Sequence, residues 1–417
     1  MATGRRIGVI GAGPAGILAA LDAARLGAQV SLFDTNPMVG RKLLVTGNGR
    51  CNISNTHAQA GRYVTDDPAA LGRILALCGP EAVLQRLDEL GVPTYATPDG
   101  WCYPLSDSAA TVADTLAAAL ALAGVRVHLQ TLVSDLLPQA GGVTLTTGGQ
   151  THRVERAIVA TGGKAHPALG SKGRFFDVLA RLGHTILPVR PALTAIDCDM
   201  RPLHKLQGVR LDAGLSLYAG SELLGRTVGN LMFTQAGLSG PAAMDLSYLV
   251  SAHEEASTHS DASTHSDASL VARLDLLALH RQTLLALLER QRNRPWPLSV
   301  ALGAVLPAKI PPVLLALAQI PLDRTLAQAD DAELERLLAL LGGLELRVTG
   351  VRGFQFAQLS TGGVPLAEVD PDTLASRRVP GLHLAGEALN VIGPCGGYNL
   401  QFAWASGLLA GQAAAGA

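Results

Sequence analysis

The sequence predicts an α/β fold that opens on a parallel βαβ unit, and three features predict it. The run Arg6-Ile7-Gly8-Val9-Ile10 reads as a buried strand. It passes directly into Gly11-Ala12-Gly13-Pro14-Ala15-Gly16 and a helix-like stretch through Leu26. A second strand, residues 29–33, then ends in Asp34.

Each element has a physical role. Gly11 permits the tight turn, Gly13 lets a backbone approach a pyrophosphate, and Gly16 lets helix and strand pack closely. The helix N-terminus that follows Pro14 offers free amides and a positive dipole to a diphosphate. Asp34 lies where an acidic residue meets a ribose hydroxyl, and an acid there disfavours a 2′-phosphate. A glycine turn alone matches any tight strand-to-helix connection. Strand, turn, helix, second strand and terminal acid together predict a dinucleotide, with FAD and NAD both satisfying them.

Composition bounds the rest. At 417 residues the chain exceeds one comfortable core, so two or three domains are expected. Hydrophobic residues make up 48% and charged residues 16%, enough apolar surface to fold. The formal charge is -1 and no basic run tracks a phosphate backbone, so a nucleic-acid partner is not expected. Cys51, Cys78, Cys102, Cys198 and Cys395 are scattered, without C-x-x-C or metal-ligand spacing, which predicts no metal site and a reducing, cytoplasmic setting. Strand residues begin at Arg6, leaving no room for a signal peptide. The apolar stretch 402–417 is short for a membrane span and reads as a buried helix.

After Asp34 the chain continues through Thr35, Asn36, Gly40, Arg41, Lys42, Thr46, Gly47, Asn48, Gly49 and Arg50 in a long Gly- and Asn-rich segment. Simple dehydrogenase units do not need it, whereas a flavin extends beyond its diphosphate and needs small residues and donors alongside. Residues 381–387 read as a late strand closing on Gly386-Glu387, before Gly396-Gly397-Tyr398-Asn399-Leu400 opens the last helix.

With GRKLLVTGNGRCNISN, ATGGKAHPALGSKG, LMFTQAGLSGPA, VRGFQFAQLSTGGV and LHLAGEALNVIGPCGGYNLQFAW in order, the chain resembles the BaiN/RdsA family of NAD(P)/FAD-dependent oxidoreductases over nearly its whole length. The resemblance implies an α/β fold in which a Rossmann-type FAD-binding domain is interrupted by a β-barrel-like domain, itself interrupted by a small helical domain. It also implies that Ala160-Thr161-Gly162 and Gly386-Glu387 lie beside FAD. Asp34 stands where members often carry Glu, which keeps the acid and shortens its reach. The predicted FAD set is thus Gly11, Gly13, Pro14, Ala15, Gly16, Asp34, the ten residues named from Thr35 to Arg50, Val133, Ala160, Thr161, Gly162, Gly386, Glu387, Gly397, Tyr398, Asn399 and Leu400.

Along the chain, residues 1–190 and 357–417 read as the two FAD-domain segments, with strand signals at 126–129, 132–137, 143–147 and 157–160. Residues 191–250 and 342–356 read as barrel-like segments, and 270–341 as helical and broken by prolines. Residues 251–269, where Ala-Ser-Thr-His-Ser-Asp occurs twice, read as a polar, low-complexity linker. A metal site from His253, His259, Asp261, His265 and Asp267 lacks rigid support and is the less favoured reading.

No pair of close cysteines supports disulfide chemistry, so Cys51 and Cys395 read as small packing residues near the flavin. Arg50 and Arg352 are the candidates for holding an anionic substrate or the flavin edge, against an equally weighted salt-bridge reading. Tyr103 and Tyr398 read as packing residues more than as proton donors. No second G-x-G-x-x-G follows a strand, so NADH or NADPH would dock transiently as donor. The expected activity is a flavin-dependent reductase or dehydrogenase of a small organic substrate, which the resemblance extends to unsaturated oxo-steroids. A non-catalytic FAD protein or redox sensor is the first alternative, and an RNA-modifying flavoprotein, for want of a basic face, the second.

Overall fold

The computed structural model describes residues 4–259 and 269–416. It divides into two compact units, one formed by Met1–Arg190 with Leu359–Ala417 and the other by Pro191–Gln358.

The first unit is built on strand β1 (Arg6–Ile10), helix α1 (Pro14–Arg25) and strand β2 (Gln29–Phe33). β1 pairs in parallel with β2 on one side and with Arg156–Val159 on the other, and Leu382–Leu384 and Arg126–His128 complete a five-stranded parallel sheet. Ile7, Val9, Leu32, Ile158 and Leu384 are fully buried, as strands covered on both faces require. The closing helix, Tyr398–Ala415, packs backbone to backbone against α1. A Cβ on Gly407 would stand 2.2 Å from the Ala15 carbonyl, and one on Gly411 would stand 2.4 Å from that of Ala19. These two glycines, four residues apart and so on one helix face, lock the start of α1 to the C-terminal helix. Asp22, 1% exposed, is neutralised at the same seam by Arg86 at 2.7 Å and accepts from the Gln412 amide at 2.8 Å.

The unit also holds two three-stranded antiparallel sheets. One joins Val133–Gln139, Gly142–Thr147 and Gln150–Val154; the other joins Ser54–Asn55, Trp101–Pro104 and Thr94–Ala96.

The second unit is a closed six-stranded barrel of Ile196–Cys198, Arg210–Ala219, Glu222–Phe233, Gly237–Ser239, Leu270–Asp275 and Leu344–Val351. Its short helices include Arg281–Arg290, Leu298–Gly303, Ile310–Leu317 and Asp331–Gly343, the last opened by a capping box between Asp330 and Glu333. Prolines fall at helix starts, Pro297 as a cap and Pro311 within the first turn.

Two sequence expectations are corrected here. Leu270–Asp275 is not the start of the helical region but a barrel strand, with Leu270, Ala272 and Leu274 buried in strict alternation and paired to Arg210–Ala219 and Leu344–Val351. Its apolar residues also fit a helical spacing that continues into the following helix, so only the barrel's pairing decides. The expected linker likewise begins as helix, for Ser247–His259 is helical and the buried Ser251 donates to the Pro191 carbonyl at 2.7 Å. The remainder of the repeat, including Asp261, His265 and Asp267, lies outside the described residues.

Candidate functional site

The glycine turn separates two kinds of glycine. Gly11, with φ of 103°, has its N–H on the Phe33 carbonyl, and a Cβ there would stand 2.3 Å from the Ala160 carbonyl. A Cβ on Gly16 would stand 1.8 Å from the Gly11 carbonyl. Both are glycines because the protein's own backbone comes too close for anything else. Gly13 differs: it caps α1 in an extended conformation, no side chain caps it, and a Cβ would meet nothing within 4 Å. The fold leaves open space in front of the uncapped amides of α1, and a glycine there keeps that cradle clear. This is the geometry a diphosphate needs.

Asp34 closes the turn. One carboxylate oxygen accepts the Ala12 N–H at 2.6 Å and the other the Asn36 N–H at 2.7 Å. The shortened acid is thereby engaged with the loop's own backbone. Thr35 is exposed, and the Asn36 carbonyl accepts the Gln130 N–H, tying this loop to the chain just before Val133.

From here the predicted segment runs as one track. Gly40 N–H donates to the Ala12 carbonyl at 2.8 Å, and Arg41 donates to the Asn36 side chain at 2.9 Å. Residues Arg41–Gly49 form 3₁₀ turns broken at Thr46, Gly47 and Asn48, the last two left-handed. Lys42 Nζ lies 2.8 Å from Glu387, whose second oxygen accepts both the N–H and the hydroxyl of Ser360 at 2.9 Å. A Cβ on Gly163, next to Gly162, would collide with Ser360 and Glu387, so Ala160-Thr161-Gly162, Lys42 and Gly386-Glu387 converge on one spot.

Three residues of this cluster were not predicted from sequence. Ser360 and Lys164 meet there, the Lys164 N–H donating to Ser360 Oγ at 3.0 Å. His166 sits beside Lys42 and Glu387 in the left-handed region, with φ of 53°. Burial lowers its pKa, the Lys42 ammonium lowers it further, and Glu387 partly offsets both. The sequence signal was a histidine inside the ATGGKAHPALG motif.

At the C-terminal helix, Asn399 bridges the Gly393 N–H and carbonyl at 2.7 Å each, and Tyr398, buried, packs edge-on against Tyr63. Gly397 has φ of 94°, and a Cβ there would stand 2.2 Å from the Ser54 carbonyl. This glycine is required by packing. Its replacement therefore tests the turn and not a selective effect on bound flavin.

The arginine candidates are both partnered. Arg50 donates to Asp107 at 2.9 Å and to the Tyr95 hydroxyl at 2.7 Å, with its guanidinium 4.2 Å above the Tyr103 ring. Arg352 belongs to the second unit, where it bonds Asp197 at 3.5 Å and covers Phe356. The Cys51 thiol is fully buried, and burial pushes it up to about 11, so it is no thiolate at neutral pH. Among the described residues, no helix is long and apolar enough to cross a membrane.

A family model described as the HI0933-like protein Rossmann domain matches residues 5–413. The chain belongs to the HI0933-like family. Among curated relatives of this HI0933-like chain is the 3-dehydro-bile acid delta(4,6)-reductase of Clostridium scindens, 35% identical and covering 98% of this chain and 99% of that protein. The ribosomal RNA dihydrouridine synthase of Escherichia coli is 30% identical over 95% of each chain, and that of Haemophilus influenzae 27% identical over 95% of each. These last two correct the use of a missing basic face to set RNA aside, since RNA-modifying proteins share nearly the full length of this one.

Proposed function

We propose that this protein is an FAD-dependent reductase that saturates a carbon–carbon double bond conjugated to a carbonyl, with NADH or NADPH as transient donor. The cleared cradle at Gly13 carries the cofactor reading, because a glycine with room for a side chain is explained by a ligand that needs the room. FAD fits better than NAD because the track from Gly40 to Arg50 extends well past the diphosphate cradle.

The relatives' names supply the reaction class. A delta(4,6) double-bond system next to a 3-oxo group and the uridine ring both present an alkene conjugated to a carbonyl. The net reaction adds one hydride at the far alkene carbon and one proton at the carbon beside the carbonyl, while the nicotinamide is oxidised. When bound, the flavin supplies hydride chemistry. The chain's own residues hold the diphosphate on the first turn of α1, fix the turn through Asp34, and place a cation at Lys42. That ammonium favours an anionic neighbour, and Glu387 with Ser360 fixes its position. A small conjugated ketone is the favoured substrate because the reductase relative is 35% identical, against 30% and 27% for the RNA-modifying ones.

Anaerobic mixing of the purified holoprotein with NADH and NADPH tests the donor, read as bleaching of the flavin band. Addition of a 3-oxo-4,6-diene steroid to the reduced protein should restore the band and yield a product two hydrogens heavier. A flavin inert to both nicotinamides and to the steroid contradicts the proposal. Dihydrouridine formed in ribosomal RNA instead would move the substrate to the second class.

A further inference from the structure

We infer that the face of the Trp101–Pro104 hairpin sheet bearing Trp101, Tyr103 and Tyr95, with Arg50 stacked upon it, is the shelf that receives the substrate, and that Arg50 is its positioning residue. This rests on the conjugated-carbonyl reading above.

The shelf follows from strand geometry. Trp101 and Tyr103 are two residues apart on one strand and so share a face, and Tyr95 is paired directly opposite Tyr103. Their rings lie side by side, Tyr95 to Tyr103 at 6.0 Å and Trp101 to Tyr103 at 6.5 Å, tilted by only 31° and 33°. Offset rings at these distances pack as aromatic pairs ordinarily do; Tyr103, 6% exposed, lies beneath Arg50, and Tyr95 and Trp101 stay partly exposed on either side of it. Arg50 lies over the middle ring with both Asp107 and the Tyr95 hydroxyl holding its guanidinium. The Arg50 side chain remains 45% exposed, which keeps a charged group open to an incoming carbonyl.

The shelf stands at the end of the cofactor track. The segment that starts at Gly40, bonded to the glycine turn, ends at Arg50. A Cβ on Gly47 would touch Tyr103 at 3.4 Å, and one on Gly396 would stand 2.9 Å from the Trp101 ring. The shelf therefore abuts both the far end of that track and the turn before the C-terminal helix. Next along the chain, Val45 and Leu105 are exposed apolar side chains, 50% and 63%. Partly exposed aromatic rings, apolar neighbours and one oriented cation suit a flat, conjugated, carbonyl-bearing molecule. Arg50 would donate to that carbonyl, which gains negative charge as the conjugated alkene is reduced.

The test uses holoprotein variants Arg50→Met, Arg50→Lys and Trp101→Leu, each compared at full FAD loading. The probe is the 3-oxo-4,6-diene steroid, with binding read from its perturbation of the flavin spectrum and turnover from kcat and KM. Loss of one charge-assisted hydrogen bond should weaken probe binding by about 10- to 100-fold in Arg50→Met. Arg50→Lys should recover only part, since an ammonium lacks the stacked planar fork. Trp101→Leu should raise KM with little change in kcat. Wild-type turnover together with unchanged probe affinity in all three variants overturns the shelf and leaves the proposed reaction standing. Failure of the wild type to bind or reduce the probe overturns both.

Discussion

Gly13 at the start of α1 and Gly397 at the start of the C-terminal helix both cap a helix without a side-chain hydrogen bond, yet their surroundings are opposite. A Cβ on Gly13 would meet nothing within 4 Å, while one on Gly397 would drive into the Ser54 carbonyl at 2.2 Å from a φ of 94°. On the proposed reading the first glycine serves a ligand, while the second serves the chain itself. Sequence motif analysis treats them alike. Substitution should separate them.

The largest effect is expected at Gly397. Gly397→Val combines left-handed strain with a backbone collision and should cost at least about 3 kcal/mol, seen as a fall in thermal midpoint or failure to express folded. A stable Gly397→Val that loses only flavin would make the two turns equivalent and break the comparison.

A second chain-serving group lies at Glu368, 9% exposed. Burial by itself would raise its pKa, but hydrogen bonds from Arg378, Thr185 and His184 outweigh it and hold the carboxyl at about 2. The folded value is depressed below the ordinary 4.5, so the stabilisation is present above pH 4.5 and fades as pH falls toward 2. Glu368→Gln should lose about 3 kcal/mol at pH 7, with the gap to wild type closing across that window and flavin content unchanged. Denaturant unfolding at pH 7 and pH 3 measures it, and a gap independent of pH would contradict the assignment.

Gly13→Val should behave in the reverse sense. The fold has room, so stability should change by about 1 kcal/mol or less, in line with other helix-cap substitutions. The flavin-to-protein ratio should fall close to zero. Smaller still is the effect of Cys51→Ser, which removes a thiol that burial keeps protonated. Flavin reduction by the working nicotinamide should proceed at the wild-type rate, and loss of that step with FAD bound would restore a thiol role.

What the sequence made legible was local. β1, α1 and β2 fall where the buried run, the glycine turn and the second strand predicted, because each is specified within a few residues. The strands near 126, 133, 142 and 156 and the closing helix were read for the same reason. What remained hidden depended on partners far along the chain. Lys42 and Glu387 lie 345 residues apart, and Ser360 joins them through a strand whose sequence carries no sign of it. Leu270–Asp275 is a strand only because two barrel neighbours pair with it. Asp34 was read as a ribose ligand from its position, and its bonds to the Ala12 and Asn36 amides were not legible. Arg50 was weighed between substrate and salt bridge, and its stacking on Tyr103 was invisible without the hairpin that presents that ring.

The most direct test of the account is the cofactor itself, released by heat from purified wild type and Gly13→Val and identified by mass. The account predicts FAD near one per chain in the wild type, and none in a Gly13→Val protein whose unfolding curve matches the wild type. FMN in the wild type, or full FAD occupancy in Gly13→Val, would contradict the claim that the space before α1 is kept clear for the cofactor's diphosphate.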